Sequence, residues 1–389
     1  MGVVRSVSSS NSRITHFIKK CKATFLLFGI IGCVEPVSFE VPPASSLLVV
    51  EGYVSSSDGS HTVKLSRATN IESDTLVSSP VTEAIIDLYE NDEIVARFNE
   101  TLPGNYQIDK GQVTGVIGSD YHIKFSTMDG SVYESLPDKL QAVGQISEVH
   151  LELEHKTRLT DFGETDASAF NVLVDSKSGP LKDAYIRWRY SAFYGVDTYP
   201  SLYMRDEPPY TPFKDPWPCS GYIVVEGPPG SGGKLEQIGD CTCCECWGKI
   251  SESAPTLSND ELVRDGEFYN VFVGQVPITP TVFQQKVMLQ VEQMSLNRAA
   301  FDFFDLIRSQ KENTQSIFQP ATGELRGNVR AENKSDAVIG IFYATSINTA
   351  VLFVDSTNVP YKIPEETFLT LPCAEITPNA TYEMPELWE

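Results

Sequence analysis

The sequence predicts a mostly β chain: an N-terminal sandwich of immunoglobulin or prealbumin type, followed by a larger β-rich domain with one packed helix. Three observations lead there. From Leu47 onward, short apolar alternations recur between Gly, Asp and Ser breaks. Only one segment, about Leu296 to Gln310, repeats apolar residues at helical spacing. With 389 residues and 41% hydrophobic content, the chain can fill two globular cores.

The elements follow in order. Basic Lys19-Lys20-Cys21-Lys22 precedes an apolar run, Ala23 to Gly32, and then Cys33. That order is a secretory signal of lipoprotein type, cleaved after Gly32 and lipidated on Cys33. The run is far shorter than the roughly 20 residues of a spanning helix. Ile30 departs from the leucine such signals prefer; an ordinary signal peptide is the alternative. Residues 34–45 hold Pro36, Pro42 and Pro43 and read as a tether. Residues 46–143 are assigned to the first β domain. Its strands are Leu47 to Val54, His61 to Leu65, Ala84 to Tyr89, Gly104 to Ile108, Tyr121 to Phe125 and Gly130 to Ser135. Residues 144–389 form the second, opening on Glu148 to His155 with Val149, Leu151 and Leu153 inward. Phe170 to Val174, Tyr185 to Tyr190 and Lys286 to Glu292 continue it. Ser295 is the expected helix cap, with Ala299, Ala300, Phe303, Phe304 and Ile307 on the packed face. Gly327 to Val329 and Val338 to Ala344 return to strand.

Charge excludes some partners. The first 33 residues carry five basic side chains and no acid, leaving 25 Lys+Arg against 52 Asp+Glu, a formal −27. Nucleic acid and anionic lipid would both be repelled.

Six further cysteines follow Cys33: Cys219, Cys241, Cys243, Cys244, Cys246 and Cys373. Outside the cytoplasm an even set favours disulfides, with 15 connectivities open. They would staple the Pro- and Gly-rich stretch Lys214 to Gly248, with Cys373 tying the tail back to it. A tetrahedral thiolate site is the rival, but the Cys241/Cys244 and Cys243/Cys246 spacings interleave and no distant pair follows. No metal or cofactor is expected.

No catalytic set emerges. Gly227 to Lys234 imitates a phosphate loop, yet Pro228 replaces its first glycine and Leu235 its hydroxyl residue, so it reads as a turn. His150, Glu152 and Glu154 share one strand face, as an outward strand face also would. His61 and His122 read as structural. The stretch Tyr185 to Trp217 is rich in aromatics; Trp188 and Tyr190 suit a strand core. Tyr194, Tyr199, Tyr203, Tyr210 and Phe213, on a proline-broken segment, are the candidate contacts for a ligand or partner. Asp74-Thr75-Leu76 and Asp355-Ser356-Thr357 fit a short O-glycosylation pattern.

The chain resembles the Bacteroidota outer-membrane lipoprotein family catalogued as domain of unknown function 4249. The resemblance is carried by Cys33-Val34-Glu35-Pro36, Leu48-Val49-Val50-Glu51-Gly52, Tyr185-Ile186-Arg187-Trp188-Arg189-Tyr190 and Cys246-Trp247. Ser316 to Pro320, Gly327-Asn328-Val329, Ile339 to Ala344, Cys373 and Pro385 to Trp388 complete it. It departs in lacking a second cysteine soon after Cys373. The resemblance implies an outer-membrane location, a two-part β architecture and a neighbouring TonB-dependent receptor; it carries over no catalytic residue. The expectation is a non-enzymatic lipoprotein, anchored through its lipid and facing the surface, with the periplasmic side as alternative. It would serve a TonB-dependent transporter as lid, ligand-capture or assembly subunit. A stand-alone adhesin and a glycan or peptide hydrolase are the competing readings.

Overall fold

Alternation builds the first sheet. In β1 (Leu47–Ser55), Leu48, Val50 and Val54 are buried while Val49, Glu51 and Tyr53 point the other way. The computed structural model describes residues 47–71, 75–160, 163–179, 185–207, 211–227, 232–258, 263–264, 266–313, 327–333, 336–364, 368–377 and 379–388. Cys33, the tether, Asp74, Tyr210 and the 316–320 segment lie outside these. β1 pairs with β2 (His61–Ile71), which also carries β3 (Thr75–Pro80) on an edge. β4 (Ile85–Glu90), β5 (Glu93–Leu102), β6 (Asn105–Ile108), β7 (Asp120–Ser126), β8 (Val132–Ser135) and the short β9 (Asp138–Lys139) extend the same sheet. β5 is the corner, paired to β4 on one side and β6 on the other, with a register shift in each ladder.

Two strands arrive from the far end of the chain. β24 (Val329–Ala331) pairs with β8, and β25 (Val338–Thr345) runs parallel to β1 from Leu48↔Val338 to Ser55↔Thr345. The sheet of eleven strands thereby curls into a nearly closed barrel. Asn328 bridges the seam: its side-chain amide donates to the Phe342 carbonyl (2.6 Å) and accepts from the Phe342 N–H (3.0 Å). Only glycine fits at Gly340, where φ is +135° and a Cβ would lie 1.9 Å from the Val50 carbonyl oxygen. The barrel core holds Leu65, Ile86, Leu88, Tyr106, Tyr121, Phe125 and Phe342. Asn328→Ala should therefore cost about 2–4 kcal/mol, because it leaves a buried N–H and C=O unpaired. Denaturant titration measures this; a loss below about 1 kcal/mol would show that the seam closes without the side chain.

The facing-sheet arrangement lies further along. β10 (Ile146–Glu154), β13 (Ala169–Lys177), β21 (Val263–Arg264) and β22 (Glu267–Pro277) form one sheet. β14 (Tyr185–Asp197), β19 (Glu245–Ser251), β20 (Thr256–Leu257), β23 (Val287–Leu296) and β26 (Ile347–Val354) form another. Val172, Val174, Trp188, Tyr190, Phe268, Val273, Leu289 and Val291 pack between them. Two sheets thus face one another after residue 144, outside the 46–143 span where the sandwich was expected. The first region makes a barrel instead, because β24 and β25 supply its missing wall. Residues 46–389 cluster as one unit across the expected boundary near Val143.

The helix runs Arg298–Asn313. Its cap is Asn297, whose side chain accepts from the Ala300 N–H (2.7 Å). Ser295 stays in β23 and donates to the Gln141 carbonyl (2.7 Å), so it cannot cap. Ala300, Phe303 and Phe304 fill a third core with Leu257, Met294, Ile341 and Tyr343, between β14, β23 and the outer face of β25. No helix among the described residues is long and apolar enough to cross a membrane.

Candidate functional site

The cysteines fix the scaffold of the site. The structure pairs Cys219–Cys243, Cys241–Cys244 and Cys246–Cys373, so all six are bridged despite the missing second cysteine near the C-terminus. Cys246 sits on β19, the edge of the five-stranded sheet. The tail covers that edge: Trp247 and Thr381 exchange backbone hydrogen bonds (2.8 and 3.0 Å), and Trp388 packs with Trp247 and Met288. A short helical turn, Cys373–Ile376, starts this cover. The stretch resembling a phosphate loop joins paired strands β17 (Tyr222–Val225) and β18 (Lys234–Gln237), as a hairpin connection does.

The aromatic candidates separate into three places. Tyr194 turns inward against Gly248, where a Cβ would meet its ring at 2.3 Å; burial raises its phenol pKa. Tyr203 meets Trp217 (5.7 Å between ring centres), and Phe213, on the hairpin of β15 (Met204–Glu207) and β16 (Thr211–Lys214), lies under the Arg205 guanidinium (4.8 Å). Among the described candidates, Tyr199 alone opens onto the groove beside Phe368. Its backbone N–H bonds the Leu369 carbonyl (2.7 Å), which sets its ring edge-on to Phe368 at 5.4 Å. Tyr199 is 43% and Phe368 71% exposed, a large apolar exposure for paired rings. Phe283, Pro280, Tyr361, Ile363 and Pro364 complete a groove of about 590 Å³. Phe368 and Tyr361 carry no periodic signal in sequence, so only the fold brings them to Tyr199.

A second cavity, about 640 Å³, lies between the outer face of the barrel and the five-stranded sheet. Alternation again explains it. Ile186, Trp188, Tyr190 and Ala192 of β14 face the core between the two sheets, so Arg187, Arg189, Ser191 and Phe193 face the barrel. Arg189 Nε bonds Glu292 at 2.5 Å and its guanidinium lies over the Tyr53 ring, 5.3 Å from the centre. Arg187 pairs with Glu252 and stacks on Phe304 (4.2 Å). Lys64, Glu51, Lys249 and Gln290 add polar lining. Two of the three carboxylates here are thus committed to guanidinium partners.

The remaining histidines have structural partners. His61 is fully buried, with Nε2 2.8 Å from the Val113 carbonyl oxygen, and burial lowers its pKa. His122 stacks on Tyr89 at 4.6 Å. His150 bonds Asn270 while Glu154 bonds Gln275 and Lys156, so the strand-face trio does not converge. Among the described residues no three His, Cys, Asp or Glu side chains form a group able to hold a metal.

The family profile described as "Domain of unknown function (DUF4249)" matches residues 34–350. The chain belongs to the DUF4249 family. Neither the curated proteins nor the solved structures give a match. The DUF4249 match begins directly after Cys33 and takes in the barrel seam, Tyr199 and the charged cavity. Phe368, Cys373 and Trp388 fall beyond its end, so the groove is walled on one side by residues outside the matched span.

Proposed function

We propose that this DUF4249 protein is an outer-membrane lipoprotein, tethered through Cys33, that serves a TonB-dependent transporter without catalysis. It acts there as a lid, ligand-capture or assembly subunit. The observation that carries the reading is the Tyr199–Phe368 groove. Two rings left open to solvent, one held by a backbone hydrogen bond, form a preorganised contact of the kind that anchors interfaces. The groove stands beside a module braced by three disulfides, so little conformational entropy is lost when a partner docks. The acidic body favours a partner with a basic surface and discourages binding to anionic lipid.

The test is co-purification from solubilised outer membrane. The protein should bring down a β-barrel receptor, and the Tyr199→Ala, Phe368→Ala double variant should weaken that capture by about 2–3 kcal/mol while leaving its unfolding midpoint unchanged. Recovery of wild type without any β-barrel partner would overturn the proposal.

A further inference from the structure

The charged cavity differs from the rest of this acidic chain in its balance of charge. Within it, Arg187 and Arg189 are neutralised by Glu252 and Glu292. Lys64 and Lys249 form no ion pair among the described residues. Glu51 stands directly across from Lys64 in the β1–β2 ladder, leaving Lys249 as the surplus cation. Its ammonium lies over the Phe193 ring (5.2 Å). Desolvation, and then the Arg189 charge, hold it below the ordinary lysine range, with Glu292 offsetting part. An anion seated there would favour the charged ammonium against both effects.

The remaining walls mix apolar side chains, among them Leu102, Tyr106 and Tyr343, with uncharged polar ones. Ser191, Ser251 and Gln290 stand on the sheet side, and Thr62, Asn105 and Gln107 on the barrel side. These hydroxyls and amides both donate and accept, as ligand hydroxyls do. Arg187 Nε and Glu252 Oε2, beside the cavity, are buried without a hydrogen-bond partner among the described residues. About 640 Å³ is within the range of small-molecule sites.

We propose that this cavity binds an acidic saccharide, its carboxylate against Lys249 and its hydroxyls on the Ser191, Ser251, Gln290 and Gln107 side chains. The inference rests on the cavity alone and is independent of any membrane partner. The competing ligands are a neutral saccharide and an acidic peptide.

Titration calorimetry of the purified full chain distinguishes them, with digalacturonic acid, the neutral galactose disaccharide and a Glu-Glu dipeptide as probes. Digalacturonic acid should bind at least tenfold more tightly than either of the others, and more weakly as salt rises. Lys249→Gln should remove that tenfold preference. Lys110→Gln, on the surface in a pair with Glu386, should leave it intact. Equal binding of the neutral disaccharide or of the dipeptide overturns the proposal, as does no binding at all. Undiminished binding by a folded Lys249→Gln protein overturns it as well.

Discussion

Replacing Cys246 and Cys373 together by alanine is expected to destabilise the oxidised protein by about 3–5 kcal/mol. The bridge joins positions separated by 127 residues, and cross-linking so long a loop removes the most freedom from the unfolded chain. The native state loses order as well, because this bridge anchors the tail that covers β19 through Trp247, Thr381 and Trp388. Cys241–Cys244 spans a separation of only three, so its removal should cost about 2 kcal/mol or less. Parallel denaturant titrations of the two double variants provide the comparison. Equal losses would show that loop length is not what sets the effect.

A second large effect follows from Asp138. This carboxyl is 1% exposed at the junction of barrel and helix. It accepts from the Ala344 N–H (2.9 Å) and from the side chain of Asn297, the helix cap. Burial outweighs these donors and, with Asp120 nearby, pushes its pKa up to about 7. In the unfolded chain an aspartate titrates near 3.9. Between these values the folded state holds a proton that the unfolded state has lost, so stability falls as pH rises from about 4 to about 7. Below that window both states are protonated, and above it both are ionised, so the contribution is flat on either side. The drop amounts to roughly 4 kcal/mol for a shift of this size. Asp138→Asn cannot titrate, so its stability relative to wild type should climb by that amount between pH 4 and pH 8. A difference that stays constant with pH would rule out a raised Asp138 pKa.

Local pattern made much of this fold legible. The alternation in β1, β4 and β10, the apolar run of β25 and the helix around Phe303 and Phe304 all stand at their expected places. Local pattern failed where partners are distant. Nothing in Val338 to Ala344 says that it lies parallel to Leu48 to Val54, since its apolar residues suit any buried strand. Ser295, the expected cap, lies instead within β23, which runs further than its sequence suggests. The cysteines announced bridges, but interleaved spacings could not order six sulfurs into three pairs. Of the described aromatic candidates, Tyr199 alone keeps an open face on a groove. Its companions Phe368 and Tyr361 come from a stretch that the sequence did not mark. The charged cavity was hidden for a similar reason. Arg187, Arg189 and Lys249 look like ordinary outward residues of strands until a second wall is set against them.

The parallel seam has a consequence for biogenesis. β1 is among the first strands to emerge, yet its β25 neighbour follows about 290 residues later. Until then one flank of β1 offers unpaired amides to any passing strand, an aggregation hazard while the chain is incomplete. A closure of such high contact order is slow. The barrel therefore stays open along this flank until Val338 to Thr345 have been made.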